Sequence, residues 1–507
     1  MASRRPALFL VALSAALIAA CAPDPQDVRT ARRPIHFHDV TAVAGLPTEA
    51  VRSFGALSTD HDGDGDLDLF LNRHADIASL YVMQEGSFVP TISTFMKQEG
   101  YLELDERVDR HGCAWGEANG DRVLDLFCTQ GAKEGTSTGP NQLFLGGDGR
   151  FTEAAQAFGV DDVYGRGRNV NWLDYDLDGD LDLFVLNAPR EGYPSRFFRN
   201  DDGTFQLVDV GIHPSTSGWP TSSWADWDGD LDPDLLVLDG DAGAIAYRNH
   251  QGRYSRGSFA SVPRVRWISA TWTDVDGDDQ VDLHLIAKDR SLVLQNSKGG
   301  FLPIHEMRLR VGRMSVWFDV ENDGDLDAFI VQGAHGSSPR QGKTNVSDVL
   351  LINDAGDLRL VDQPSLRGPI GGNGDAAVTG DFDQDGRTDL YVTNGHNPWA
   401  WQGKGRLYRN TSQAWNSVAL TLIGDWWNPR AFGARIKVDN GAFSYWRHIT
   451  DGVSSRAQST SDLVLGIGDA ARAKITVVWP DGTRGCWTAR AGAGLVARMG
   501  AAGCNVP

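Results

Sequence analysis

The sequence predicts an all-β protein, a seven-bladed β-propeller followed by a small C-terminal β domain. Two observations carry that expectation. First, a nine-residue acidic pattern, acid-x-acid-x-acid-(Gly)-x-x-acid, recurs seven times between Asp60 and Asp389. The copies open at Asp60, Glu117, Asp174, Asp226, Asp274, Asp319 and Asp381, at intervals of 45 to 62 residues, a spacing that marks a stacked or circular repeat. Second, each copy is followed by two short apolar runs, the second of which leads, in all but the last unit, into a glycine-bearing turn.

The first run of each unit reads Leu69-Phe-Leu, Leu126-Phe-Cys, Leu183-Phe-Val, Leu235-Leu-Val, Leu283-His-Leu, Ala328-Phe-Ile and Leu390-Tyr-Val. These runs are too short for helices and are bounded by turn residues, so they read as buried strands. The second run and its turn are illustrated by Leu143-Phe-Leu with Gly149, Phe197-Phe-Arg-Asn with Gly203 and Leu350-Leu-Ile-Asn with Gly356. Turns of this kind suit antiparallel hairpins, because glycine tolerates positive φ. The seventh unit has Leu407-Tyr-Arg-Asn but lacks the turn and outer strand. The missing strand is found at the other end of the chain, where Phe37-His-Asp-Val-Thr resembles outer segments such as Phe151-Thr-Glu-Ala-Ala. A propeller closed by pairing its first strand with its last blade accounts for this split and leaves only short, protected edges. An open solenoid of hairpins is the alternative. The predicted propeller covers 35–411, a small all-β domain covers 412–485 and a tail covers 486–507.

The acidic loops point to calcium. Loop three offers Asp174, Asp176, Asp178 and Asp182, with Gly179 at the sixth position. Hard oxygen donors at alternate positions, around a residue that permits a sharp turn, are what calcium coordination needs. The pattern is not an EF-hand, because position twelve is apolar (Leu71, Val185, Ile330, Val392) and the fourth carboxylate comes at position nine. Loop one (Asp60, Asp62, Asp64, Asp68) and loop seven (Asp381, Asp383, Asp385, Asp389) are as complete, and loop six has Asp319, Glu321, Asp323 and Asp327. Loop four (Asp226, Asp228, Asp230, Asp234) has Leu231 at the usual glycine position, and loop five (Asp274, Asp276, Asp278, Asp282) has Asp279 there. Loop two combines Glu117, Asn119, Asp121 and Asp125 with Arg122, and is expected to bind weakly or stay empty. The seven windows hold 32 of the 67 acidic residues. Solvated acidic turns are the bland alternative, but so many like charges at fixed registers repel one another unless a cation neutralises them. Seven divalent ions would carry the formal charge from −20 to −6. No basic stripe offsets this acidity, so a nucleic-acid partner is not expected.

Residues 1–20 read as a signal peptide, with Arg4 and Arg5 before the apolar run Ala7 to Ala20. Ile18-Ala-Ala-Cys21 resembles a lipobox, making Cys21 the candidate lipidated residue and 21–34 a tether; ordinary cleavage with Cys21 incidental is the alternative. A lipid anchor would be the only membrane attachment, and Ala22 after the cysteine resembles lipoproteins destined for the outer membrane or cell surface. A secreted or periplasmic location is the alternative. Export permits disulfides. Cys113 and Cys128 flank loop two, so its hairpin brings them onto adjacent strands, and Cys486 with Cys504 would tie down the tail; free buried thiols are the alternative.

Asp174-Tyr-Asp-Leu-Asp-Gly-Asp-Leu-Asp and Asp381-Phe-Asp-Gln-Asp-Gly-Arg-Thr-Asp resemble the FG-GAP/VCBS units of integrin-alpha propellers. Asn428-Pro-Arg-Ala-Phe-Gly-Ala-Arg-Ile-Lys-Val, Leu465-Gly-Ile-Gly and Val477-Val-Trp-Pro-Asp-Gly-Thr resemble an ASPIC/UnbV domain. Together they are similar to the family of cartilage acidic protein 1 and its bacterial relatives. The resemblance implies an integrin-alpha-like propeller in a secreted or surface-attached calcium-binding protein of adhesion type, with no agreed catalytic residues.

Three further patterns repeat. Trp115, Trp172, Trp224, Trp272 and Trp317 each stand two residues before a loop, as blade-to-blade packing or as a platform for sugar rings. Arg52, Arg110, Arg168, Arg266 and Arg313 recur six to eight residues before loops, either solvated or as a positive ring near the axis for carboxylates or sulfates. His396 lies in a turn, as a structural hydrogen-bonder. No GxSxG, HExxH, P-loop or dinucleotide fingerprint is present. The expected function is binding of a protein or glycan in adhesion or surface assembly; a polysaccharide lyase or hydrolase acting in the propeller's central depression is the alternative.

Overall fold

The computed structural model describes residues 33–501 apart from 74–77, 92–94, 97–107, 133–136, 148–149, 215–219, 241–242, 258–261, 298–299, 334–345, 367–373, 396–402 and 455. Cys21, His396 and Cys504 lie outside the described residues. Among the described residues every named element is a β-strand, apart from the 3-10 turn Pro364–Leu366.

Seven sheets are built on residues 37 to 410, and in six of them four consecutive strands run outward from an axis in chain order. In the third, Gly167–Leu173, Asp182–Asn187, Arg196–Asp201 and Thr204–Leu207 pair antiparallel in that order. The innermost strands are Ser53–Thr59, Arg110–Gly116, Gly167–Leu173, Thr221–Ala225, Trp267–Thr273, Gly312–Phe318 and Gly374–Gly380. Each lies against the next and the last lies against the first, so the ring is closed. Phe37–Asp39 supplies the outer strand of the sheet that carries Gly374–Gly380, pairing Phe37 with Asn410 and Asp39 with Tyr408. Closure thereby uses hydrogen bonds between the two ends of the propeller segment.

The repeated tryptophans pack blade to blade. Trp115 meets Phe70, Trp172 meets Phe127 and Trp224 meets Phe184 edge-on at 6.4, 6.4 and 5.3 Å between centroids, each across to the preceding blade. A Cβ on Gly116 would stand 2.4 Å from the Trp172 ring, so a side chain there would displace it. A second set of contacts latches the blades through asparagine. In the fourth to seventh blades, the side-chain amide of Asn249, Asn296, Asn353 or Asn410 donates to the carbonyl of Tyr175, Trp227, Val275 or Val320, the second residue of the preceding blade's acidic loop, at 2.7–2.9 Å. The Asn353 carbonyl oxygen also accepts the turn N–H of Gly356 at 2.8 Å.

The inner strands share another irregularity. Six of them bulge near their start, between Ser53 and Ala56, Arg110 and Cys113, Gly167 and Asn169, Trp267 and Ser269, Gly312 and Met314, and Gly374 and Ala377. A bulge re-aims the extra residue away from the ladder. Cys113 and Cys128 are paired in the register of the second blade and joined by a disulfide.

The C-terminal unit holds two sheets. Asn416–Ile423 lies between Leu463–Gly468 and Gly494–Arg498, and Arg435–Asp439 lies between Ser444–His448 and Arg472–Val478, with Arg484–Arg490 outermost. The expected tail boundary at 485 is therefore corrected: the last two strands are integral, because alternation along them buries Ala489 and Ala497. Val418, Ile436, Ile475 and Trp479 of this unit share one apolar core with Val170, Trp172 and Leu183 of the third blade.

Replacing Asn353 by Ala removes a buried amide that bridges two blades and a turn. We expect Asn353→Ala to lower unfolding stability by about 2–4 kcal/mol in chemical denaturation; a change within error would refute the latch.

Candidate metal centre

The acidic loops connect the inner strand of each blade to the second strand. In loop three, Asp174 accepts the N–H groups of Asp178 (3.1 Å) and Gly179 (3.0 Å). Asp178 accepts from Asp180 N–H at 3.0 Å. Asp182 accepts Tyr175 N–H through one oxygen (3.0 Å) and Asn200 N–H through the other (2.9 Å). Loop six repeats this, with Asp319 on Asp323 and Gly324 at 3.1 and 2.9 Å and Asp327 on Val320 and Asn353, both at 2.8 Å. In loop seven, Asp381 takes Asp385 and Gly386 at 3.0 and 2.9 Å, and Asp389 takes Phe382 and Asn410 at 3.2 and 2.7 Å. The ninth acid thus also ties the third strand of its blade to the loop. Each of its oxygens accepts one N–H, and an ionised carboxylate has about four lone-pair sites, so acceptor capacity remains.

The sixth residue of every loop has positive φ, from 69° at Arg122 to 102° at Gly179. Leu231 and Asp279 stand at 79° and 75°. The three loops that depart from glycine therefore keep the same turn, at a cost of about 1–2 kcal/mol for each side-chain-bearing residue.

Loop six is the most enclosed, with Asp319, Glu321, Asp323, Asp325 and Asp327 all buried. Loops two, three, four, six and seven each hold a buried carboxylate oxygen that makes no hydrogen bond among the described residues: Glu117 Oε2, Asp176 Oδ1, Asp234 Oδ2, Glu321 Oε2 and Asp383 Oδ1. Ligand oxygens of Asp60, Asp62 and Asp64, of Asp174, Asp176 and Asp182, and of Asp226, Asp228 and Asp230 lie within 4.8 Å of one another in each set. Burial dominates their titration, raising Asp60 and Asp381 to about 6 and Glu117, Asp174 and Asp274 to about 7. An all-oxygen donor set with buried acceptors lacking donors fits a hard divalent cation. His61, in loop one, went unread in the sequence analysis. Its Nδ1 lies on Asp68 and its ring stacks on Phe151 at 5.9 Å, in a position where the other loops carry apolar residues. That substitution of a polar residue within an apolar column was the available signal.

The C-terminal unit docks on this acidic face. Arg430 donates to the Asp60 carbonyl, Trp427 lies over Gly120, and Arg122 stacks on Trp426 at 3.7 Å. Arg435 pairs with Asp279 at 3.5 Å, Arg447 donates to the Gly324 carbonyl at 2.8 Å and Ser417 to that of Gly386 at 2.7 Å. The short antiparallel pair Val453–Ser454 and Ala457–Gln458 enters the axis of the ring, where Ala457–Gln458 runs parallel to Ser53–Thr59. The Gln458 amide accepts Trp115 N–H at 2.7 Å and donates to Trp115 O at 3.0 Å, while Asn171 donates to buried Asp451 at 2.7 Å.

This geometry revises the expected arginine ring. Arg168 and Arg313 reach an axial cavity, joined there by Arg456 of the C-terminal unit. Arg110 turns instead to Gln142 Oε1 at 2.8 Å, drawn by that buried amide, and Arg266 is exposed; neither Arg266 nor Arg52 lines the cavity. Cys486 lies on Arg484–Arg490.

Residues 117–185 and 174–237 match the FG-GAP-like repeat family, and residues 424–493 match the ASPIC and UnbV family. The chain carries FG-GAP-like repeats and an ASPIC and UnbV domain. The chain is 32% identical over 150 residues to cartilage acidic protein 1 of Xenopus tropicalis, covering 29% of this chain and 21% of that protein. It is 36% identical over 77 residues to the Homo sapiens protein of the same name, covering 15% and 11%. The alignments thus span about a fifth or less of these curated relatives' length. Among solved structures, an Agrocybe aegerita lectin recognising non-reducing terminal N-acetylglucosamine superposes with TM-score 0.43 at 17% identity over 70% of this chain and 88% of its own. The BP39L lectin of Burkholderia pseudomallei gives 0.46 at 12% identity over 68% and 93%.

The raised carboxyl values fix the sign of the pH response. The folded, metal-free chain holds more protons than the unfolded chain between about pH 4 and about pH 7, so it loses stability as pH rises through that window. In EDTA the melting temperature is expected to fall between about pH 5 and about pH 7.5, and calcium to restore it at the upper pH by mass action. A calcium-insensitive melt at neutral pH would count against bound metal.

Proposed function

We propose that this protein is an exported, lipid-anchored, calcium-binding scaffold that binds a protein or glycan ligand in adhesion or surface assembly. The observation that carries the binding reading is a cleft of about 720 Å³ at the joint between the propeller and the C-terminal unit. Asp62 and Asp64 of loop one, Gln384 and Asp385 of loop seven, and Arg430 and Arg498 of the C-terminal unit open into it. Clefts of roughly 300–1,000 Å³ at domain interfaces are the usual places for ligands. Gly494–Arg498 is the edge strand on the C-terminal side, and its Val496 is 53% exposed.

Calcium bound by the acids of loops one and seven would supply positive charge and oxygen-accepting coordination positions at the cleft wall. The chain's own residues do the rest. Arg430 and Arg498 favour an acidic or hydroxyl-rich ligand. Export and anchoring rest on the leader, with Arg4, Arg5 and Cys21, and on no feature of the folded part. The enzyme alternative needs a central depression; on the loop face the inserted pair and Gln458 take up part of the axis and leave a cavity of about 190 Å³ lined by Thr271, Ser315, Thr379 and Ser454.

A screen of glycans and surface proteins with and without calcium tests the reading. Binding is expected to disappear in EDTA and to weaken at least tenfold in Asp385→Asn, with the fold retained. Ligand binding indifferent to both changes, or turnover of a polysaccharide, would overturn it.

A further inference from the structure

Loop six shares the pattern of the other loops but not their exposure. The acid at its fifth position, Asp323, is 5% exposed. The corresponding Asp64, Asp121, Asp178, Asp230, Asp278 and Asp385 are all exposed. Burial runs through the whole turn of loop six, where every residue from 319 to 325 is buried. A polar turn on the face of a sheet ring meets water unless another element lies over it.

The cover is the C-terminal unit. Trp415 N–H donates to Glu321 O at 2.7 Å, and Trp415 O accepts the Asn322 side-chain amide at 3.2 Å. The strand Leu463–Gly468 crosses so close that a Cβ on Gly466 would stand 2.2 Å from Asp319 Oδ2, and Gly468 N–H donates to Asn322 O at 3.2 Å. From the other sheet, Arg447 donates to Gly324 O at 2.8 Å. The rings of Phe443 and Tyr445 press on Gly324, where a Cβ would meet them at 2.8 and 2.9 Å. Three segments of one unit therefore close over a single loop.

Under this cover lies a complete set of oxygen donors. Asp319, Glu321, Asp323 and Asp327 are 3%, 9%, 5% and 1% exposed. Glu321 Oε2 is buried and makes no hydrogen bond among the described residues. Glu321 is flanked by Asp319 and Asp327, so its free oxygen belongs to the same cluster. A buried acceptor without a donor is costly, and a hard cation satisfies it. Solvent reaches an ion enclosed in this way only when the cover opens, so its exchange follows the opening of the joint.

We propose that loop six is an occluded divalent-cation site, sealed by the C-terminal unit, whose ion exchanges only when that unit lifts away. The inference rests on calcium binding by the loops and adds that they divide into two kinds. Loops one and seven open into the cleft at the joint and exchange their ions freely, while loop six holds its ion as part of the joint.

Isotope exchange on the full chain tests this, because the sites stay saturated throughout. The chain is loaded with radiolabelled calcium, diluted into excess unlabelled calcium at neutral pH, and the label retained per chain is followed in time. One ion is expected to leave at least a hundredfold more slowly than the rest. Asp323→Asn is expected to abolish this slow ion and spare the fast ones, whereas Asp64→Asn removes label from the fast class alone. Phe443→Ala, which thins the cover without changing charge, is expected to speed the slow ion at least tenfold, and it decides the matter where Asp323→Asn does not fold. Exchange of every bound ion at one fast rate would overturn the occlusion and leave calcium binding standing, and absence of bound calcium would overturn both. A slow ion that persists in Asp323→Asn, or that leaves no faster in Phe443→Ala, would overturn the occlusion as well.

Discussion

Carboxylates crowded at fixed registers on one face of the ring are the constraint on which the rest of this structure depends. Each loop turns on a residue at positive φ, and its first and ninth acids collect the backbone N–H groups that such a turn leaves free. The ninth acid also holds the third strand of its blade, so loop and sheet are set by the same side chain. The same arrangement concentrates negative charge that the chain's own cations offset only in part. A hard divalent ion would answer both the charge and the oxygens of Glu117, Asp176, Asp234, Glu321 and Asp383 that have no hydrogen bond among the described residues.

The C-terminal unit belongs to this arrangement. Its arginines and tryptophans sit on the loops, and its apolar core runs into that of the third blade. The Gln458 amide exchanges two hydrogen bonds with the Trp115 backbone on the ring axis, which places the Val453–Gln458 segment where a propeller of this kind would otherwise have an axial channel. The acidic loops and the docking of this unit therefore share one surface.

Much of the fold was legible because its signals are local and repeated. The acidic windows, the short apolar runs and the Arg-Asn before a glycine turn each recur, and recurrence separates a structural requirement from coincidence. The role of the asparagine was harder to read, since its amide reaches a carbonyl some 70 to 90 residues earlier, as from Asn353 to Val275 and from Asn410 to Val320. His61 was missed for a related reason: it stands in an apolar column visible only when the loops are aligned by position. The tail boundary at 485 failed because short alternating strands such as Gly494–Arg498 carry too few apolar residues to stand out from a polar end.

The amino-acid order alone settles the strands, the turns and the chemistry of the loops, because these depend on neighbours within a few residues. The arginines show what it leaves open. Five recur at similar spacing, yet Arg168 and Arg313 reach the axis while Arg110 turns to Gln142 and Arg266 remains in solvent. Bulges that shift register by one residue decide which way each points, and the third guanidinium comes from Arg456, about 140 residues further along the chain than Arg313. Only the folded ring and the unit docked on it bring those charges together, because contacts across such separations are made by packing and leave no periodic trace in the chain.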